Sequence, residues 1–188
     1  MPTFPHHDLH FETDRLLLRP CVLADFDVAT EWYRDPVFRM LMDPNPQYEI
    51  TREYLENIGR GMAKSGWLFT LVLRSTDRPI GEACLQWMNV ERAEVRPDEK
   101  VMRMPMGIWD RSLWRQGYGR EAAVVLRDHA FRARKIDRLC AMMVSRDNPA
   151  SRGLFTSIGM RIAREVPERD EVDLEITRAE WTRLVGEV

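Results

Sequence analysis

At Gly66 the apolar residues change from helical to extended spacing, and this change constrains the fold of the 188-residue chain more than any other feature. After it, "WLFTLVL" (67–73) and "IGEACLQW" (80–87) read as strands joined by the turn-rich "RSTDRP", which predicts a hairpin. Before it, "RLLLRP" (15–20) is a short strand closed by Pro20. A helix is expected over 23–35 from Leu23, Phe26, Val28, Ala29 and Trp32, ending ahead of Pro36. Thr51 should open a second one, with Tyr54, Leu55, Ile58 and Met62 on one face. Downstream, the charged "NVERAEVRPDEK" (89–100) reads as a solvated loop. "VMRMPMGIW" (101–109) reads as a strand that Pro105 forces to bulge or to run beside an unpaired neighbour, because proline has no N–H for a ladder.

The longest helix is expected over 118–134, with Ala122, Ala123, Leu126, Ala130 and Ala133 on its apolar face. "RLCAMMV" is a further strand, and Asn148-Pro149 opens a further helix. "MRIAREV" and "VDLEIT" form a closing hairpin, and Thr177 with Glu180 has capping-box spacing for a last helix. The order β-α-α-β-β-β-α-β-α-β-β-α describes a mixed α/β fold around one central sheet, expected as a single domain over 1–188.

Composition narrows the function. A net charge of −2 argues against a nucleic-acid partner. No apolar run reaches the roughly 20 residues that span a bilayer, and the first residues do not read as a signal peptide, so the expected location is the cytoplasm with no membrane partner. Cys21, Cys84 and Cys140 are widely spaced in apolar contexts and read as buried thiols. "HHDLH" (6–10) lacks a matching ligand pair elsewhere, so no metal is expected and the segment reads as a mobile surface tail.

Inside "LWRQGYGREA" (113–122), Gly117 and Gly119 stand where the long helix begins, at a cost of roughly 1 kcal/mol each relative to alanine. Three readings compete. The first is an anion site, with successive N–H groups and the helix dipole aimed at one spot and Arg115 and Arg120 alongside. A dinucleotide fingerprint is the second, since "GYGREA" fits G-x-G-x-x-A, but "DRSLWRQ" intervenes where a strand should precede the first glycine. A tight loop without a ligand is the third.

A second element settles on one family. "WRQGYG" and "NPASRGLFTSIGM" (148–160), with "FETDRLLLRP", "RPIGEA" and the closing Glu180-Trp181, resemble the GNAT superfamily of N-acyltransferases. They look like its branch of ribosomal-protein serine and alanine N-terminal acetyltransferases. The resemblance implies a GNAT acyltransferase fold, with a central, mixed, mostly antiparallel sheet, a splayed strand pair and flanking helices. It also implies an acetyltransferase moving an acetyl group from acetyl-coenzyme A, its co-substrate, to a primary amine, either a protein N-terminus or a small molecule. The chain is expected as a monomer or homodimer; a non-catalytic coenzyme A-binding or regulatory module is the alternative.

The resemblance assigns roles by position. Backbone N–H groups of Arg115, Gln116, Gly117, Tyr118, Gly119 and Arg120 would cradle the coenzyme A pyrophosphate. Gly107, Ile108 and Trp109 would offer a strand edge to the pantetheine amides. Asn148 would bond the cofactor while capping its helix, and Ser151 would assist the leaving thiolate. Two positions depart from the family pattern. Phe155 stands where many members have a proton-donating tyrosine, and Met104 or a neighbour where many have a glutamate. The general base is therefore open among Glu82, Glu165, Glu168 and a chain of waters. The acidic residues of 91–99 would favour a cationic acceptor.

Overall fold

The computed structural model describes residues 5–42 and 48–187. It divides into two compact units, one running up to Gln86 and including Met106–Ala122, the other comprising Trp87–Pro105 and the chain from Ala123 onward.

In the first unit the strands β1 (Phe11–Glu12), β2 (Leu16–Pro20), β3 (Gly66–Leu73), β4 (Arg78–Trp87) and β6 (Met106–Ile108) pair antiparallel in that spatial order. The helices are α1 (Asp25–Tyr33), α2 (Pro36–Met42) and α3 (Arg52–Lys64). Phe26, Ala29, Phe38, Leu55, Leu68, Cys84 and Trp109 bury against one another beneath them. Thr51 caps α3 as expected, its hydroxyl accepting from Tyr54 N–H at 3.1 Å.

In the second unit β5 (Val101–Arg103) pairs parallel with β7 (Arg138–Ser145), followed by β9 (Glu171–Thr177) and β8 (Arg161–Val166). The pairings β1–β2, β2–β3, β3–β4, β4–β6, β7–β9 and β8–β9 are antiparallel, so the strands are mixed and mostly antiparallel. Helix α4 (Tyr118–Arg132) begins in the first unit and continues in the second, which also holds α5 (Pro149–Ser157) and α6 (Arg178–Val185). Thr177 and Glu180 form the capping box of α6. Cys21, Cys84 and Cys140 are buried free thiols, and burial pushes the Cys140 thiol up to about 12.

Several expectations are corrected. Pro36 starts a helix and does not only end one. Asp35 Oδ1 accepts Val37 N–H at 2.8 Å, so Asp35-Pro36 acts as a cap followed by a first-turn proline. The strand expected over 101–109 is two strands, interrupted at Met104-Pro105, where the proline has no N–H for a ladder: β5 pairs with β7, and β6 pairs with β4. Ala133 lies beyond the end of α4 and is exposed. The loop 89–100 is fastened rather than merely solvated, with Arg92 bridging Glu171 at 2.7 Å and Asp173 at 2.8 Å. His7 is docked: its ring bonds Leu68 C=O at 3.0 Å and stands edge-on to Phe69, which leaves no mobile tail at this point.

Candidate functional site

The glycine turn is built by a sequence of local locks. After β6, the Asp110 carboxylate accepts Ser112 N–H at 2.9 Å and its hydroxyl at 2.6 Å, and pairs with Arg78 at 3.0 Å. Burial pushes the Asp110 pKa up, but Ser112 and Arg78 outweigh it and hold the group below the usual carboxylate value. Arg115 and Gly117 then take left-handed conformations, φ 61° and 87°, and α4 starts at Tyr118. Among the described residues, the N–H groups of Arg115, Gln116, Gly117, Tyr118, Gly119 and Arg120 donate to no protein acceptor; the first N–H taken up is that of Glu121, by Gly117 C=O at 3.0 Å. Arg115 and Arg120 are exposed, and neither is ion-paired among the described residues.

A brace that the sequence motif does not reveal holds this turn from the β1–β2 connection. Thr13 Oγ1 and Arg15 N–H donate to Glu121 Oε1 at 2.5 and 3.0 Å, and Arg15 Nε donates to Oε2 at 2.7 Å. Arg15 Nη1 also donates to Gln116 C=O at 3.0 Å, and its guanidinium lies 4.2 Å over the Tyr118 ring. Burial raises the Glu121 pKa, but these donors win and keep it low. The only sequence signal for the brace was the Arg15 of "DRLLLRP", a charge at the mouth of an apolar strand.

β6 turns a backbone N–H away from its partner strand. Trp109 N–H donates to Ile80 C=O at 2.8 Å, so by alternation the Ile108 peptide groups point away from β4. Ile108 C=O accepts the Trp114 indole N–H at 2.8 Å, which leaves the Ile108 N–H for a ligand. Phe38 and Met42 of α2 lie against Gly107 where a side chain would stand, Met42 Sδ being 3.2 Å from the ideal Cβ position.

Directly across the ladder from Gly107 is Glu82. Opposed residues of an antiparallel pair share a face, which places its carboxylate under α1 and α2. The Tyr33 hydroxyl at the end of α1 donates to Glu82 Oε1 at 2.5 Å. Trp109 sets its indole beside the same group, although its buried Nε1–H completes no hydrogen bond of normal geometry. Burial raises the Glu82 pKa, and Tyr33 and Trp109 only partly offset this. Burial and the Glu82 charge together drive the Tyr33 phenol far above its ordinary value.

Helix α1 is itself pinned where it begins. Asp25 is buried and receives two Arg19 guanidinium bonds at 2.6 and 2.7 Å, Val22 N–H at 2.8 Å and the Thr70 hydroxyl at 2.7 Å.

The remaining site expectations fall in the second unit. Asn148 caps α5, its Oδ1 accepting Ser151 N–H at 3.0 Å. The Ser151 hydroxyl bonds no protein group among the described residues. Phe155 and Met104 are buried. Glu165 is exposed and paired with Arg146 at 2.9 Å, and Glu168 sits exposed on a 3-10 turn. In the loop 91–99, Glu94 is paired with Arg164 and Glu99 with Arg138, so these acids are already engaged. The first unit thus brings together Gly107, Ile108, Trp109 and the turn 115–120, and the second holds Asn148 and Ser151. No helix among the described residues is long and apolar enough to cross a membrane.

A family profile described as "Acetyltransferase (GNAT) domain" matches residues 15–161. A Bacillus licheniformis protein described as an uncharacterized N-acetyltransferase is 27% identical over 146 residues, covering 73% of this chain and 75% of that one. The structure of AAC(6')-Ib in complex with parmomycin and acetyl-CoA superposes with a TM-score of 0.73 at 16% identity, over 90% of this chain and 97% of that one. The ribosomal-protein-S5-alanine acetyltransferase from Vibrio fischeri gives a TM-score of 0.68 at 14% identity, over 93% of this chain and 99% of that one. At such identities the structural likeness speaks for the fold.

Proposed function

The chain belongs to the GNAT acetyltransferase family, and from that premise we propose that it transfers the acetyl group of acetyl-coenzyme A to a primary amine, on a protein N-terminus or a small molecule. The observation that carries this reading is the turn 115–120. Six successive N–H groups and two unpaired guanidiniums stand at the start of a 15-residue helix whose dipole adds to their field. That donor set fits a pyrophosphate. Arg115 and Arg120 supply charge for its oxygens, and Arg15, already committed to Glu121, holds the turn in shape. The free Ile108 N–H suits a pantetheine carbonyl.

For the transfer, the amine nitrogen bonds the thioester carbonyl carbon, the C–S bond breaks, and coenzyme A leaves as a thiolate. The amine must lose a proton, and we assign Glu82 to take it. Its raised pKa moves it toward neutrality, where a base both is ionised and has driving force. Glu165 and Glu168 have no such environment. Ser151 keeps the role the family resemblance gives it, a hydrogen-bond donor to the leaving thiolate, and its hydroxyl is uncommitted. Asn148 bonds the cofactor as well as capping α5.

Calorimetry against acetyl-coenzyme A, NAD and NADP, followed by a thiol-release screen of amines, tests the reading. Binding of acetyl-coenzyme A alone and turnover with an amine are expected. Nicotinamide binding without coenzyme A binding overturns it, and coenzyme A binding without turnover on any amine returns the non-catalytic module.

A further inference from the structure

The first unit contains a pocket of about 330 Å³ between the end of α1, α2 and the start of α3. Its size suits a small molecule. Tyr33 lines it, and the same Tyr33 hydroxyl is bonded to Glu82. The pocket thus shares Tyr33 with the Glu82 pair, while Glu82 itself is not part of its lining.

Its charge is unusual for a site that accepts amines. Arg34, Arg39 and Arg52 line it against the single carboxylate of Glu49. Arg34 is paired with Glu31 at 2.8 Å, and Arg52 with Asp27 at 2.6 Å and Glu56 at 2.7 Å, all three acids lying outside the lining. Arg39 differs. No carboxylate pairs with it among the described residues; its Nη2 donates to Tyr48 C=O at 2.6 Å, and its enclosed Nε–H has no acceptor. A half-buried guanidinium with an unused donor is built to take an oxyanion through charge-assisted bonds. Of the three guanidiniums, Arg39 is the one whose charge no carboxylate among the described residues offsets.

We propose that the acceptor is a small primary amine that also carries an oxyanion, a carboxylate or a phosphate, which Arg39 binds while the amine end stands at Tyr33 and Glu82. This rests on the acetyltransferase reading and narrows it. In the acidic loop 91–99, Glu94 and Glu99 are paired within the second unit.

The test titrates matched amines into coenzyme A-saturated protein by calorimetry: O-phosphoethanolamine against ethanolamine, β-alanine against β-alaninamide, and spermidine. The phosphate pair and the carboxylate pair identify the oxyanion separately. At least one anionic member is expected to bind about tenfold more tightly than its neutral partner, the ratio a charge-assisted hydrogen bond supplies. Arg39→Gln should collapse that ratio with acetyl-coenzyme A affinity unchanged, and Arg39→Lys should keep part of it. Equal affinity within both pairs, preference for spermidine, or a ratio that survives Arg39→Gln overturns the proposal. A parallel titration separates the two readings. Failure to bind acetyl-coenzyme A sinks the transferase reading itself, whereas acetyl-coenzyme A binding with no anionic preference sinks only the acceptor class.

Discussion

The Tyr33 hydroxyl donates to Glu82 Oε1 at 2.5 Å, and Glu82 lies across the β4–β6 ladder from Gly107. A carboxylate kept there is expensive, because burial disfavours its charged form. The folded protein therefore binds this proton more tightly than the unfolded chain does. Its contribution to stability falls as pH rises from the unfolded value, about 4.3, through the raised folded value, and the full cost is present above it. Glu82→Gln should thus lower kcat by about 10²-fold or more while raising Tm at pH 8. At pH values where the wild-type carboxyl is protonated the two melting temperatures should converge. A variant of wild-type activity and lower Tm at pH 8 would remove Glu82 from the mechanism.

Tyr33→Phe tests the same pair from the other side. The phenol bond favours the ionised carboxylate, so its loss should push the Glu82 pKa further up. The acid limb of kcat/KM should then move to higher pH, with KM for acetyl-coenzyme A little changed. An unmoved limb means that another group titrates there.

At the glycine turn, affinity and stability should separate. Gly119 is the second residue of α4, where valine costs less than about 1 kcal/mol of helix stability. A side chain there would crowd the phosphates, so Gly119→Val is expected to weaken acetyl-coenzyme A binding by tenfold or more, about 1.4 kcal/mol by calorimetry. Gly117→Ala should cost stability as well, because φ is 87° at that position. Unchanged affinity in a folded Gly119→Val protein would place the pyrophosphate elsewhere.

How much of this was legible in the sequence depended on range. Periodicity recovered α1, α3, α4, the β3–β4 hairpin and the capping box of α6, because each rests on residues within a few positions of one another. "NPASRGLFTSIGM" likewise revealed its cap. The missed features depend on partners far apart in sequence. Glu121 reads as one more surface acid of a helix until Thr13 and Arg15 close on it from the β1–β2 connection. Glu82 was one of three glutamates of equal standing until Tyr33, 49 residues earlier, was seen to hold it. Glu94 and Glu99 of the loop 91–99 read as free for a cationic acceptor because their arginine partners come from β8 and β7. Pro36 misled for a local reason: a proline that ends one helix can also occupy the first turn of the next.

Ser151→Ala probes the leaving group. A coenzyme A thiol with a pKa near ~8.5 departs as an anion that needs a nearby donor. Phe155 has no proton to give and is buried, while the Ser151 hydroxyl is uncommitted. The substitution should lower kcat by roughly 10²-fold with acetyl-coenzyme A affinity intact. Turnover at the wild-type rate on a verified acceptor would leave Ser151 as a helix-start residue only.

Asp25 governs whether Tyr33 is where Glu82 needs it. The residue is 4% exposed and begins α1, and its carboxylate accepts four hydrogen bonds, from Arg19, Val22 N–H and Thr70. Burial alone would raise its pKa, but Arg19, Val22 and Thr70 outweigh burial and hold it below the usual value. The sign is therefore opposite to that of Glu82. Asp25 contributes stability that is present above the unfolded carboxylate pKa, about 3.9, and is lost as pH falls through the lower folded value. Asp25→Asn keeps the shape but leaves the Arg19 guanidinium, partly buried, without its counter-charge. Breaking such a pair costs about 3 kcal/mol at neutral pH. Denaturant unfolding at pH 7 should show that loss, and the gap between wild type and variant should narrow on acidification below the usual carboxylate range. Because α1 ends at Tyr33, the variant should also shift the acid limb of kcat/KM in the direction expected for Tyr33→Phe. Equal stability at pH 7, or a gap that widens in acid, would show that the Arg19–Asp25 pair does not anchor the helix.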